Sequence, residues 1–206
     1  MATGDGVKGA AGPLAAIVLA AGSGSRFGGG KLMAPWKGGV LIDGALTAAF
    51  AAPARDVIVV TGADERVAAV ARAHAERVGA AGRLKVVYAA EHAEGMGASL
   101  RTGAAALPAD CGGVFVFLGD MPRIPPDILP RLVEAVARGA EAAAPAFEGE
   151  RGHPVLFGPG LIPSLRRLAG DQGARTVLAD LGPAFARVPA DDDGVLFDVD
   201  RPEALD

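Results

Sequence analysis

Cysteine is almost missing from this chain: Cys111 is its one thiol in 206 residues. That excludes an intrachain disulfide framework and any cysteine metal cluster, and it fits a reducing compartment, so a cytoplasmic location is expected. Histidine is nearly as scarce, and His74, His92 and His153 show none of the spacings of a zinc site. No basic block exists and the formal net charge is −4, so polymeric nucleic acid is not an expected partner. A small anionic ligand stays open, because a few placed cations and backbone N–H groups hold one locally. No apolar run reaches the roughly 18 to 20 residues of a membrane span, so no membrane partner is expected. The apolar stretch 14–21, with Lys8 ahead of it, imitates a secretory signal, but it is short and Asp5 also precedes it.

What the chain does have is small apolar residues. Half of it is hydrophobic and only 5% is aromatic, which suits thin, close-packed helices against a sheet and argues against disorder. The length suits one domain. Residues 1–13, rich in Gly and Ala, read as a flexible N-terminal tail, and 14–206 as a single domain with halves at 14–122 and 123–206.

Continuous apolar runs closed by glycine mark strands buried on both faces at 14–20, 56–61 and 113–118, with another strand at 84–89. Helical spacing fills 40–51, 63–78, 96–107 and 126–138. Strand and helix alternating about four times predict a parallel sheet with helices on both faces. After residue 140 the rhythm changes. Strands are expected at 142–147 and 154–157 around a polar turn, helices at 161–168 and 174–181, and short strands at 186–188 and 195–199. The fold class is α/β, a single-domain three-layer αβα sandwich with a mostly parallel, Rossmann-like sheet. No internal repeat or interdomain linker interrupts it.

The segment after the first strand, residues 22–31, holds five glycines and two cations, Arg26 and Lys31. A glycine-rich loop at the carboxyl edge of a parallel sheet is a usual place for phosphate. It is not a Walker loop: Ser25 stands where the first glycine belongs, and Leu32 follows Lys31. Nor is it a dinucleotide fingerprint, since Phe27 occupies the third glycine position and Gly28 comes one residue late. Its chemistry suits a triphosphate; the alternative is a surface loop with ordinary charges.

Five segments in order resemble one family. Leu19-Ala-Ala-Gly-Ser-Gly-Ser-Arg-Phe-Gly-Gly-Gly-Lys31 resembles the signature of nucleotidyltransferases with a glycosyltransferase-A-like fold, most of all the molybdenum cofactor nucleotidyltransferases. Glu94-Gly-Met-Gly-Ala-Ser-Leu-Arg-Thr-Gly103 is similar to the family's Gly-Met-x-x-Ser-Leu segment, and Leu118-Gly-Asp-Met-Pro122 to its metal-binding strand end. Gly152-His-Pro-Val-Leu-Phe157 and Gly170-Asp-Gln-Gly-Ala-Arg175 resemble the substrate-side motifs of its cytidylyltransferase branch. Asp198-Val-Asp200-Arg-Pro202 resembles the closing Asp-x-Asp-Thr-Pro, with Arg201 in place of threonine.

The resemblance implies a nucleotide-diphospho-sugar-transferase-like fold and transfer of CMP from CTP to the terminal phosphate of molybdopterin, releasing pyrophosphate, with Mg²⁺ as cofactor. A molybdenum hydroxylase would receive the product. The rivals are the GTP-dependent version, another cytidylyl or sugar-nucleotide transferase of the same fold, and a non-catalytic cofactor-delivery chaperone. Ala21 favours CTP, because the guanylyl branch tends to have glycine there.

Asp120, at a strand end, is the leading metal ligand; its alternative is a helix N-cap. Asp198 and Asp200, two apart on an expected strand, would share a face and offer a second carboxylate, or form a solvated acidic end. Arg26 and Lys31 would offset phosphate charge. Leu19, Ala20, Ala21, Gly22, Ser23, Gly24 and Gly95 would line the nucleotide site. Thr61 and Ser99 would reach base or ribose, or serve as helix-start hydroxyls. His153, Asp171 and Arg175 would face the acceptor, although His153 also reads as a turn residue and Arg175 as a helical partner of Asp171.

Overall fold

The computed structural model describes residues 12–24, 27–171 and 173–200. The expected N-terminal tail therefore falls outside the described residues except for its last two positions. In chain order the elements are β1 (Leu14–Ala20), β2 (Pro35–Trp36), β3 (Gly39–Val40), α1 (Ile42–Ala51), β4 (Asp56–Thr61), α2 (Arg66–Arg77), β5 (Leu84–Tyr88), α3 (Met96–Ala105), β6 (Gly113–Leu118) and α4 (Ile128–Ala137). They continue with β7 (Ala142–Phe147), β8 (Glu150–Arg151), β9 (Val155–Phe157), α5 (Ile162–Leu165), α6 (Arg175–Ala179) and β10 (Phe185–Pro189).

One sheet runs through the molecule in the order β10-β7-β9-β6-β1-β4-β5, with β8 paired to β7. The pairs β1–β4, β1–β6, β4–β5 and β7–β10 are parallel. The short β9 runs antiparallel to both β6 and β7. The strand alternation explains the two cores. Ala16, Val18 and Ala20 of β1 face α1, α2 and α4, whereas Ala15 and Ile17 face the side carrying α3 and α5. Helices on both faces then remove most apolar side chains of the central strands from water, the main driving force for this layering.

Strand order reverses beside β1. The chain builds outward through β4 and β5, then returns to place β6 on the other flank of β1. The crevice between the carboxyl ends of β1 and β6 is therefore the topological switch point, where ligands of open α/β sheets bind. The sheet also crosses position 122 without a break, because β9 pairs with β6.

Several expected boundaries shift. Residues 195–199 do not form a strand. A 3-10 turn covers Asp193–Val195, and the segment after it is held by the Val199 N–H donating to the Asp120 carbonyl at 3.1 Å. Val195 and Val199 are fully buried anchors, which imitates strand alternation without any pairing. The helix expected at 161–168 shrinks to α5 behind a 3-10 turn at Pro159–Leu161, and the one at 174–181 shrinks to α6. The polar turn after β7 carries an extra strand, β8. Positions 39–40 belong to a β2–β3 hairpin rather than to the first helix. Among the described residues no helix is long and apolar enough to cross a membrane.

Phe115, on β6, is fully buried between β1 and the helices of one face. Phe115→Ala is expected to cost about 3–5 kcal/mol, from lost burial plus the cavity left behind. Urea denaturation should show a lower midpoint with an unchanged m-value.

Candidate active site

The carboxyl ends of β1 and β6 open into a cavity of about 510 Å³. Leu19 and Ala20 from β1, Ala21 just after it and Leu118 from β6 form an apolar wall, and Gly22, Ser23 and Gly24 continue it along the loop. The two strands stay close because Gly119 donates its N–H to the Leu19 carbonyl at 2.9 Å; a Cβ on Gly119 would sit 2.9 Å from that same oxygen. The loop then reverses on glycines. Gly24, Gly28, Gly29 and Gly30 have φ of 62°, 86°, 95° and 64°, values that L side chains avoid. The carbonyl of Gly24 accepts from Phe27 and Gly29, which tightens the loop and leads into the 3-10 turn beginning at Lys31. Arg26 lies outside the described residues.

Lys31 is the electrostatic centre. Its Nζ lies 2.7 Å from Asp120 Oδ2 and 3.0 Å from Asp200 Oδ1, with side-chain exposures of 11% for Lys31 and 26% for Asp120. Burial by itself would lower the pKa of Lys31. The hydrogen bonds and charges of Asp120, and then of Asp200, outweigh it and hold the ammonium above its ordinary value. The N-cap alternative for Asp120 fails, since Asp127 precedes α4 and Asp120 spends its carboxylate on Lys31. The backbone bond from Val199 to Asp120 brings the 198–200 segment here, so Asp200 arrives by docking and not by strand periodicity.

Asp198 has its carboxyl pKa raised, first by burial and then by the charges of Asp200 and Asp120. Among the described residues, three carboxylates thus act around Lys31, a set of oxygen donors that suits a divalent cation. Among the described residues no group of three Asp, Glu, His or Cys side chains is arranged to hold a metal by itself. One or two carboxylates completed by ligand phosphate oxygens is the pattern Mg²⁺ uses, and Asp120 with Asp200 fits it.

The opposite wall comes from the start of α3. Gly95, Met96 and Ser99 line the cavity, joined by His92 and Ala93 from the turn after β5. Gly97 donates its N–H to the Gly170 carbonyl at 2.8 Å, and a Cβ on Gly95 would stand 2.6 Å from the Asp171 Cα. The two glycine motifs, distant in sequence, are therefore packed backbone to backbone. This moves Asp171 from the expected acceptor side into the same cavity as Lys31 and Asp120. It is not on the helix with Arg175, because α6 begins at Arg175.

Thr61 does not line the cavity. It is buried, and its hydroxyl donates to the Val87 carbonyl at 3.3 Å across the sheet. His92 was not a sequence candidate. It stacks edge-on with Tyr88 at 6.2 Å and lies over Gly62, where a Cβ would approach its ring at 2.8 Å. Its one sequence signal was its place just past a strand's carboxyl end.

His153 lies beyond Asp120, deep-set beside β6. One ring nitrogen donates to the Val116 carbonyl, and the shielded Nδ1 has no partner. The backbone here is braced by 193–195: His153 N–H donates to the Val195 carbonyl at 2.9 Å, and a Cβ on Gly152 would sit 2.2 Å from that oxygen. Burial, reinforced by Arg151, pushes the His153 pKa down from 6.5 to about 4.

A glycine loop and a lysine on one strand end, facing a carboxylate on the next across a switch-point cavity, define an α/β enzyme of the nucleotidyl-transferring class. Residues 16–185 match the MobA-like NTP transferase domain, and the chain belongs to that family of nucleotidyltransferases. It is 34% identical to purine catabolism protein PucB of Bacillus subtilis strain 168, over 94% of each chain. It is 28% identical to the molybdenum cofactor cytidylyltransferase of Escherichia coli K12, over 91% of each. Nicotine blue oxidoreductase of Paenarthrobacter nicotinovorans is 29% identical over 92% of this chain and 93% of its own. Among solved structures, Rv0371c of Mycobacterium tuberculosis H37Rv superposes with a TM-score of 0.76 at 25% identity, covering 94% of this chain and 96% of its own. A complex of that protein with manganese is also known, consistent with divalent metal use in the family.

The depressed His153 pKa has a measurable consequence. The unfolded chain takes up this proton near pH 6.5 and the folded one only near 4. Stability present above pH 6.5 should therefore decline as pH falls toward 4, by on the order of 3 kcal/mol from this group. His153→Gln should flatten that part of the stability–pH curve, and NMR should find the His153 ring neutral at pH 5.5.

Proposed function

We propose that this enzyme transfers CMP from CTP to the terminal phosphate of molybdopterin, giving molybdopterin cytosine dinucleotide and pyrophosphate. The observation that carries the reading is Lys31 bridging Asp120 and Asp200 at the mouth of the switch-point cavity. This contact supports the reading of Lys31 as a phosphate-binding cation next to a metal-binding pair, Asp120 and Asp200.

In the reaction an acceptor phosphate oxygen attacks the α-phosphorus, the bond from that phosphorus to the bridging oxygen breaks, and pyrophosphate departs. Charge accumulates on the α-phosphoryl and leaving oxygens, so positioning and neutralisation do most of the catalysis. The acceptor phosphate is largely ionised at neutral pH, so no protein base is required. The neutral, enclosed His153 is consistent with that.

Lys31, with Arg26, offsets charge on the β- and γ-phosphates. Backbone N–H groups of the glycine loop and the amino end of α3 supply further positive potential. Asp120 and Asp200 hold a divalent cation, taken as Mg²⁺, with Asp198 adding negative charge nearby; bound there, the cation would draw charge from phosphate oxygens. The apolar wall 19–21 receives the base, with Ser99 close to the ribose. Ala21, where the guanylyl branch tends to have glycine, supports CTP over GTP. His153 and Arg175 serve the acceptor side, and a molybdenum hydroxylase is the proposed recipient of the product.

The test is pyrophosphate release with Mg²⁺, molybdopterin-loaded carrier and CTP, GTP or ATP in turn, beside an arm following oxidation of a reduced nicotinamide dinucleotide. Release with CTP is expected. Release with GTP alone would reassign the base, and nucleotide oxidation without release would remove the transfer reading. Asp120→Asn should reduce turnover by about a hundredfold to a thousandfold while the circular dichroism spectrum stays native, in line with loss of one electrostatic stabiliser. Lys31→Ala should lower both turnover and CTP affinity; unchanged values would remove its assigned role.

A further inference from the structure

Most arginines of this acidic chain hold a partner. Arg55, Arg66, Arg101 and Arg123 each pair with a carboxylate, and Arg83 and Arg166 donate to backbone carbonyls. Arg151, Arg175 and Arg187 form a group in which no ion pair joins a guanidinium to a carboxylate among the described residues. In the sheet, Arg151 of β8 stands opposite Ala146 of β7, and Arg187 of β10 stands opposite Ala144. Residues 144 and 146 share one face of β7, so their cross-strand neighbours project to that same face. Ala144 lies in the core on the side of Leu178, a buried residue of α6. Arg175 opens α6, and its charge, like that of Arg187, acts on Arg151. Arg187 is steadied there by donating from Nη1 to the Gly149 carbonyl at 3.3 Å.

Among the described residues no carboxylate pairs with Arg151, Arg175 or Arg187. Arg151 is only partly exposed, and burial with the charges of Arg175 and Arg187 lowers its pKa. Such repulsion disfavours the free protein and is relieved by a bound anion. The cluster also adjoins the reaction centre. His153 follows Arg151 by two residues, its Nδ1 is buried without a partner, and it feels the charges of Arg151, Asp120 and Arg175.

We propose that Arg151, Arg175 and Arg187 form an anion subsite that binds a phosphate monoester group of the acceptor, with Arg151 as its principal contact. Guanidinium groups suit this task because their planar donor fork matches phosphate oxygens bidentately. None of the three arginines lines the cavity that holds Lys31 and Asp120, so the two substrates would place their anionic ends on separate basic groups. Its assignment to the acceptor rests on the transfer reaction proposed above; its anion binding does not.

Inorganic phosphate is the probe. Thermal unfolding of the full chain, followed by Trp36 fluorescence, is measured with increasing phosphate for wild type, Lys31→Ala and the double variant Arg151→Gln/Arg187→Gln. Phosphate should raise Tm in wild type and in Lys31→Ala, and most of that rise should vanish in the double variant. The double variant without phosphate should unfold at or above the wild-type temperature, because like charges have been removed. No rise in wild type, an undiminished rise in the double variant, or a rise abolished by Lys31→Ala alone would overturn the subsite. In turnover assays Arg151→Gln should raise the KM for the acceptor about tenfold to a hundredfold and leave the KM for CTP unchanged; the reverse pattern would place Arg151 on the nucleotide side. A chain that releases no pyrophosphate yet keeps the arginine-dependent phosphate effect would remove the transfer reading and leave the subsite standing.

Discussion

Parallel pairing of β1 with β6 sets the geometry on which everything else depends. It brings the ends of two strands, nearly a hundred residues apart in the chain, to adjacent positions at the switch point. The Gly119 N–H bond to the Leu19 carbonyl closes that edge so tightly that a side chain at 119 would part it. Lys31 then meets Asp120 across the crevice, and the cavity opens between the strand ends and the start of α3. Burial of both faces of the central strands makes this placement rigid, since shifting a strand would expose an entire apolar row.

Around that edge the charges are unevenly shared. Among the described residues, the 120, 198 and 200 carboxylates act around the largely enclosed ammonium of Lys31, whereas 151, 175 and 187 gather arginines. Removing one partner from Lys31 would strand a charge in a poorly solvated place, and such losses cost far more than surface pairs are worth. A protein selected for stability alone would neutralise both groups. A bound anion would relieve the arginine group, and a bound cation the carboxylates.

Much of this was legible in the sequence. The apolar runs at 14–20, 56–61 and 113–118 are strands because only a doubly covered sheet buries every residue of such a run. Gly22 to Gly24, Lys31, Gly95, Ser99 and Asp120 do meet in one cavity. The less legible parts share a cause: local patterns were read as local structure when distant contacts had produced them. Val195 and Val199 look like strand residues but are anchors in a docked segment. Asp171 looks like a helical partner of Arg175, yet it leans on Gly95 because two glycines let two backbones touch. Thr61 looks like a ligand-facing hydroxyl and is spent on a neighbouring strand.

The sequence by itself determined the layered α/β architecture, the glycine loop with its lysine, and the strand-end aspartate. Each depends on residue type and spacing along the chain, which burial and backbone conformation convert directly into structure. Only the tertiary structure decided that Lys31 bridges Asp120 and Asp200, that Asp171 and His92 share the cavity of Lys31 and Asp120, and that Arg151 and Arg187 flank β7 on one face. Those facts depend on which strands become neighbours and in what register. That choice is made by the packing of the whole core, and no local stretch of sequence contains it.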